Sequence, residues 1–221
     1  MSRANVIAIW DQWIRLFHWS LVIAIAVLLI TGETGVGFYD WHRLAGEWVL
    51  GLVVFRLLWG LAGSSNAKVA ALVRPLKAFD HLKQLARGRV EPERGHNAAG
   101  GFAVLIMLLL IGIQAVSGSF IADEDELIEG AFYGVLSSDT TDWLYTVHTT
   151  NAVLLEVMIA IHIFAVMVYL LYAKHNLITA MITGKMPWPE GRAVPEIKLQ
   201  PFGRGLLVAC VVAVALVLIL R

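Results

Sequence analysis

The chain is short of both cysteine and charge. A single cysteine, Cys210, among 221 residues excludes a disulfide framework, a cysteine-rich zinc site and an iron–sulfur cluster, and the lack of any C-x-x-C-H string excludes haem held through thioethers. Charged residues make up 15% of the chain, against about a quarter in a soluble domain. The 17 basic residues balance the 17 acidic ones, so no global field recruits nucleic acid. Internal repeats, low-complexity tracts and a soluble second domain are missing as well. What remains is apolar: 58% hydrophobic residues and a mean hydropathy of +0.72. This composition excludes a soluble globular protein, and metal chemistry must run through the seven histidines.

Five apolar runs, at 14–31, 42–59, 98–118, 147–173 and 205–220, approach the roughly 20 residues that cross a bilayer as helix. They predict an all-α integral membrane protein: a four-helix transmembrane bundle within residues 1–185, then a linker and a shorter fifth transmembrane helix within 186–221. The first run reads as a retained helix rather than a cleaved signal, because Trp10, Trp13, Phe17, His18 and Trp19 precede it and no small-residue cleavage site follows. Between the second and third runs stand Lys68, Arg74, Lys77, Lys83, Arg87, Arg89 and Arg94; after the fourth come Lys174, Lys185, Arg192, Lys198 and Arg204. Both segments are expected on the cytoplasmic side by the positive-inside rule, and so is the N terminus. The stretch from Ser119 to Trp143 holds Asp123, Glu124, Asp125, Glu126, Glu129, Asp139 and Asp142 with no lysine or arginine, which fits the opposite face. Within the first basic segment, Leu76, Phe79, Leu82 and Leu85 recur every third residue between Pro75 and Gly88 and predict a short interfacial helix on the lipid surface.

Imidazoles in apolar spans are costly and mark functional sites. Four of the seven lie in or at the ends of spans: His18, His42, His148 and His162. His148 and His162 are fourteen residues apart, about 21 Å along a helix and only about 40° around it. The expected topology matches the four by depth, His42 with His148 near the periplasm and His18 with His162 near the cytoplasm. Two imidazoles leave zinc short of its usual four ligands, whereas a planar macrocycle needs only two axial donors. The inventory therefore points to two haem b groups with bis-imidazole ligation, and closed coordination favours electron transfer over oxygen chemistry. Arg15, Arg43 and Arg56 are placed to pair with haem propionates, although Arg15 and Arg56 serve equally well as membrane anchors. Gly46, Gly100 and Gly101 remove side-chain bulk where a ring or another helix must approach.

These strings resemble a known family, the bacterial di-haem cytochrome b group that includes cytochrome b561 and the b subunits of nickel–iron hydrogenase and formate dehydrogenase. The resemblance rests on Trp10-Asp11 with Arg15-Leu16-Phe17-His18-Trp19, on His42-Arg43-Leu44-Ala45-Gly46 leading to Arg56-Leu57-Leu58-Trp59-Gly60, on Gly95-His96-Asn97 with Gly100-Gly101, and on Met181-Ile182-Thr183-Gly184-Lys185. The fourteen-residue gap between His148 and His162 is also the family's spacing. What the resemblance implies is a four-helix core in a bacterial inner membrane that holds two b haems and links a redox partner to membrane quinone. The partner so implied is a dehydrogenase or hydrogenase subunit, and any enzyme activity is that of a quinone oxidoreductase; the seven carboxylates between Ser119 and Trp143 either reflect the positive-inside bias alone or dock a basic partner, a periplasmic cytochrome c. The chain departs from the pattern where many relatives follow the first histidine of span four with an acidic residue: here the string is His148-Thr149-Thr150. The fifth span is found in some relatives and absent from others.

In the formate dehydrogenase relatives quinone lies near an asparagine at the start of span three, and Asn97 resembles that position. His96 and Asn97 can contact a quinone, cap span three or bind a propionate. Glu156, between the two histidines of span four, can relay protons or hydrogen-bond across the bundle, while His81 and His175 read as surface residues. Two rival functions use the same inventory. One is a self-sufficient oxidoreductase moving electrons between superoxide and quinone, which the acidic outer segment disfavours because it repels that anion. The other is a small proton-coupled transporter or channel with histidines as relays.

Overall fold

The computed structural model describes residues 5–34, 38–73, 75–88, 92–123 and 128–220. Arg74, Arg89 and Glu124 to Glu126, counted above among the orienting charges, lie outside the described residues. The helices are α1 (Gln12–Thr34), α2 (Tyr39–Ala62), α3 (Pro75–Ala86), α4 (Ala98–Gly118), α5 (Ser138–Leu171), α6 (Leu177–Thr183) and α7 (Phe202–Leu220). All but α3 and α6 are long and apolar enough to cross a membrane. The fold is all-α; among the described residues it also has two short 3-10 turns, Ser65–Ala67 and Val69–Ala71, and two antiparallel ribbons, in which β1 (Asn5–Ala8) pairs with β4 (Lys185–Trp188) and β2 (Ala122–Asp123) with β3 (Ile128–Glu129). The chain is a multi-pass membrane protein.

Side chains set the helix starts. Asp11 Oδ1 accepts the Ile14 N–H at 2.8 Å, Asn97 Oδ1 that of Gly100 at 2.7 Å and Asn176 Oδ1 that of Thr179 at 2.9 Å, each satisfying one of the donors a first turn leaves open. The fourth span shows what hydropathy misses. Its apolar run starts at residue 147, yet α5 starts at Ser138, where the Ser137 carbonyl accepts from the amides of Thr140 and Thr141. The added turns are polar, Asp139 to Thr146, so the helix extends beyond its apolar part. α6 ends at Gly184 in the left-handed region (φ +77°), where a Cβ would also come within 2.7 Å of the Trp10 carbonyl; only glycine satisfies both demands.

The residues form two compact units, to both of which every spanning helix contributes. The first comprises 1–16, 57–106 and 159–206. In it Trp59 is fully buried and donates its indole N–H to Asp11 Oδ2 at 3.2 Å; truncating such an indole costs about 3–5 kcal/mol. Asn66 donates to the carbonyls of Ile9, at 2.9 Å, and Arg94. Trp13 stacks on Phe202 with centroids 4.9 Å apart and donates to its carbonyl at 2.9 Å. A Cβ on Gly205 would collide with the same indole, so the small residue is what lets α7 lie against α1.

The second unit comprises 17–56, 107–158 and 207–221. Gly112 of α4 faces Val53 of α2, and a Cβ on Gly51 would stand 2.6 Å from Leu216 of α7. Asn151, 5% exposed, ties α5 to α4 by donating to the Leu110 carbonyl at 2.9 Å and to Gln114 Oε1 at 2.6 Å. Many large apolar side chains point outward instead, Phe164 and Leu218 among them, as suits helices whose solvent is lipid.

Candidate functional site

Two of the four span histidines meet in the second unit, and their surroundings repeat one design. His42, near the start of α2, sets Nδ1 3.0 Å from the hydroxyl of Thr31, near the end of α1. His148, in α5, sets Nδ1 3.1 Å from the hydroxyl of Ser117, near the end of α4. Each hydroxyl spends its own proton on the carbonyl four residues back, Thr31 on Val27 and Ser117 on Ile113, both at 2.7 Å. Its oxygen is therefore free to accept, and the imidazole Nδ1–H must donate. For His148 the Gln114 carbonyl, 3.1 Å from the same nitrogen, requires this too, since a carbonyl only accepts. With the proton fixed on Nδ1, each ring leaves Nε2 bare, the tautomer that a metal-ligating histidine needs.

The residue after each hydroxyl is glycine, and it forms the seat of the ring. A Cβ on Gly32 would stand 3.4 Å from His42 Cε1; one on Gly118 would stand 2.9 Å from His148 Cε1 and 3.3 Å from its Nδ1. The two imidazoles lie within electrostatic reach of each other. Two bare nitrogens are too few for zinc, and among the described residues no group of three or more His, Cys, Asp or Glu side chains could hold a metal ion. They suffice for the two axial positions of a haem, and neutral, orientationally locked imidazoles fit that group.

The remaining predicted residues are distributed as follows. His18 stands on the α1 part of the second unit, edge-on to Trp19 with centroids 5.2 Å apart. His162 is half-buried on the α5 part of the first unit. Arg15 donates from one terminal nitrogen to the Ile182 carbonyl at 2.6 Å, while its Nε is buried with no hydrogen-bond partner among the described residues. A carboxylate such as a propionate would satisfy that donor. Arg56 is 3% exposed inside α2. Arg43 is half-exposed and pairs with Glu47 at 3.1 Å. Of the predicted glycines, Gly101 lets α4 approach the Leu72 backbone, which a Cβ would meet at 2.7 Å, whereas a Cβ on Gly46 would meet nothing within 4 Å.

His96 packs its ring 4.7 Å from Trp10. Asn97, besides capping α4, donates from Nδ2 to Tyr169 Oη at 2.8 Å. Tyr169 also hydrogen-bonds His81 Nε2, and both are 8% exposed. His81 is thus a buried residue and not the surface histidine that the sequence suggests. Burial pushes its imidazole below the ordinary value, with the Glu93 carboxylate opposing the shift. Glu156 stands exposed on α5 rather than buried across the bundle.

Thr31, Gly32, Ser117 and Gly118 escape a reading that searches for ligands alone. The available signal is a hydroxyl–glycine dipeptide near the end of two spans, since a lone Ser or Thr in an apolar helix is otherwise explained by bonding its own turn. No curated protein matches the chain. The model of prokaryotic cytochrome b561 matches residues 9–184, a segment that contains all four span histidines and both seats, and the chain belongs to the prokaryotic cytochrome b561 family.

Proposed function

We propose that this chain carries electrons across a bacterial inner membrane between a periplasmic redox partner and membrane quinone, through two b haems, one held by His42 and His148 and the other by His18 and His162. Membership of the family gives haem b and transmembrane electron transfer. The observation that carries the finer reading is the repeated seat, in which hydroxyl and glycine fix each imidazole with Nε2 presented. His42, His148, His18 and His162 would hold haem b, which when bound would supply a one-electron carrier.

The protein's own part is orientation. Thr31, Ser117 and the Gln114 carbonyl accept the Nδ1 protons and so fix which nitrogen each ring leaves bare. The second pair is supported by the spacing on α5: fourteen residues put His162 about 21 Å along the helix from His148 and on nearly the same face. The basic segments on either side of the first unit's helices, against the acidic stretch between α4 and α5, support a cytoplasmic N terminus and a periplasmic His42–His148 end. Arg15 and Arg56 suit propionates, and Asn97 suits contact with quinone. Residues 1–185 would hold the haems, with 186–221 as linker and added helix.

Single His→Ala variants and a reduced-minus-oxidised spectrum test this. His18→Ala and His162→Ala are expected to remove the same b-type component, His42→Ala and His148→Ala the other, each lowering haem content from two to one. Loss of one component by both His18→Ala and His42→Ala would refute the pairing, and a colourless purified protein would refute electron transfer altogether.

A further inference from the structure

Four polar side chains in the first unit join into one chain. Asn97 Nδ2–H donates to Tyr169 Oη at 2.8 Å, which leaves the phenol O–H to donate to His81 Nε2. His81 Nδ1, which must then hold the imidazole proton, faces Glu93 Oε1 at 3.6 Å. Asn97 Oδ1 is occupied by the Gly100 N–H at 2.7 Å, which fixes the amide's orientation. The series runs from buried to wet: Tyr169 and His81 are each 8% exposed, while the Glu93 side chain is 37% exposed. Tyr169 follows His162 by seven residues, about 10 Å along α5 and within about 20° of the same face. Every donor in the series points toward Glu93.

We propose that Tyr169, His81 and Glu93 form a proton path between water and a quinone bound beside Asn97 and Tyr169. This inference rests on the quinone reading above. In quinol oxidation the O–H bond of the hydroxyl facing Tyr169 breaks as its proton passes to Oη, the phenol proton passes to His81 Nε2, and the Nδ1 proton passes to the Glu93 carboxylate and on to water. The second hydroxyl proton leaves to water, and the two electrons leave singly to an oxidised b haem. Quinol thereby becomes quinone, with two protons and two electrons released. Quinone reduction uses the same bonds in reverse. Lowering of the His81 imidazole by burial suits this role, since the resting ring is neutral and able to accept.

Among the described residues Glu93, from the segment before α4, and Tyr169, from α5, face His81; Asp80 and Lys77 stand one and four residues before it on α3. Neither His81 nor Tyr169 lies within two residues of a proposed haem ligand in the sequence.

The experiment uses the haem-loaded protein mixed in a stopped-flow instrument with a short-tail benzoquinol. Tyr169→Phe and His81→Gln are expected to slow haem reduction by quinol about 100-fold, the lower end of what positioned acid–base groups contribute, with the dithionite-reduced spectrum unchanged. Free imidazole should restore the rate of His81→Ala, and nitrogen-15 histidine NMR of the resting protein should show His81 protonated at Nδ1 and bare at Nε2. Wild-type haem that quinol never reduces would overturn the quinone reading, and this proposal with it. Wild-type turnover matched by Tyr169→Phe and His81→Gln would overturn the proton path alone. A slow His81→Ala that imidazole leaves slow would also overturn it, by assigning the network a purely structural role.

Discussion

The two histidine seats are alike in chemistry but not in clearance, and a pair of alanine substitutions exploits the difference. At Gly32 a Cβ fits, 3.4 Å from His42 Cε1; at Gly118 it would lie 2.9 Å from His148 Cε1. Reaching ordinary contact therefore requires the His148 ring to retreat by about 0.5 Å, a displacement of the size that separates a working site from a loose one. The Nδ1 bonds to Ser117 and Gln114, both 3.1 Å long, oppose any pivot that would absorb it. Overpacking of this kind costs about 1–3 kcal/mol, while replacing a helical glycine by alanine returns up to about 1 kcal/mol. At one decade per 1.4 kcal/mol, Gly118→Ala should weaken retention of the haem on His42 and His148 by up to about 25-fold and broaden or shift its low-temperature α band. Gly32→Ala should leave that haem unchanged and the protein slightly more stable. Haem titration of the two purified variants, with low-temperature difference spectra, measures both. Equal effects of the two substitutions, or an unperturbed spectrum in Gly118→Ala, would refute the argument that these glycines seat the rings.

Thr31→Ala and Ser117→Ala each lose a hydrogen bond worth about 1 kcal/mol, and because each ring also has a backbone carbonyl in reach, Leu28 for His42 and Gln114 for His148, both should keep their tautomer, as histidine NMR would show. Because the His81 imidazole is lowered by burial, the folded state binds fewer protons there than the unfolded chain, so docking of α3 is fully supported above the ordinary value of 6.5 and weakens as pH falls below it. The protection factors of α3 amides, the intrinsic exchange rate at each pH divided by the observed one, should therefore fall from pH 7.5 to 5.5; protection factors that ignore pH would contradict this, and His81→Asn should flatten the response. Neutralising Asp123, Glu124, Asp125 and Glu126 together should slow association with a basic cytochrome c and leave both haem spectra intact. Because exposed charges are screened over about 8 Å at physiological salt, the wild-type rate should fall steeply with ionic strength, and a flat salt series would remove docking from this segment.

The five spans were readable because lipid demands long apolar runs, and the four span histidines because an imidazole in such a run carries a cost. Three features were not readable, for different reasons. Hydropathy sees only what sits in lipid, so the polar first turns of α5, started at Ser138, left no mark. The interfacial helix keeps its apolar face outward, with Phe79 and Leu82 65% and 51% exposed, and what its pattern did not reveal is that His81 is buried. On a membrane surface lipid competes for apolar side chains, and the protein can take the polar edge where a partner such as Tyr169 waits. Spacing alone cannot decide which face wins. The hydroxyl–glycine seats stayed hidden because their meaning depends on a ring contributed by another helix.

The ribbon of β1 and β4 bears on how the chain is made. Ile9 and Trp10 donate their amides to the Gly184 carbonyl at 2.8 and 3.2 Å, so the first residues of the family segment are fastened to its last. At a synthesis rate of about 5–20 residues per second, residue 184 emerges roughly 10–35 s after residue 9. Throughout that interval α1 must hold its place in the bilayer without its anchor, and the strand that closes the structure waits on the last turn to be translated. An early truncation would therefore leave every upstream helix inserted and the fold still open at its first residues.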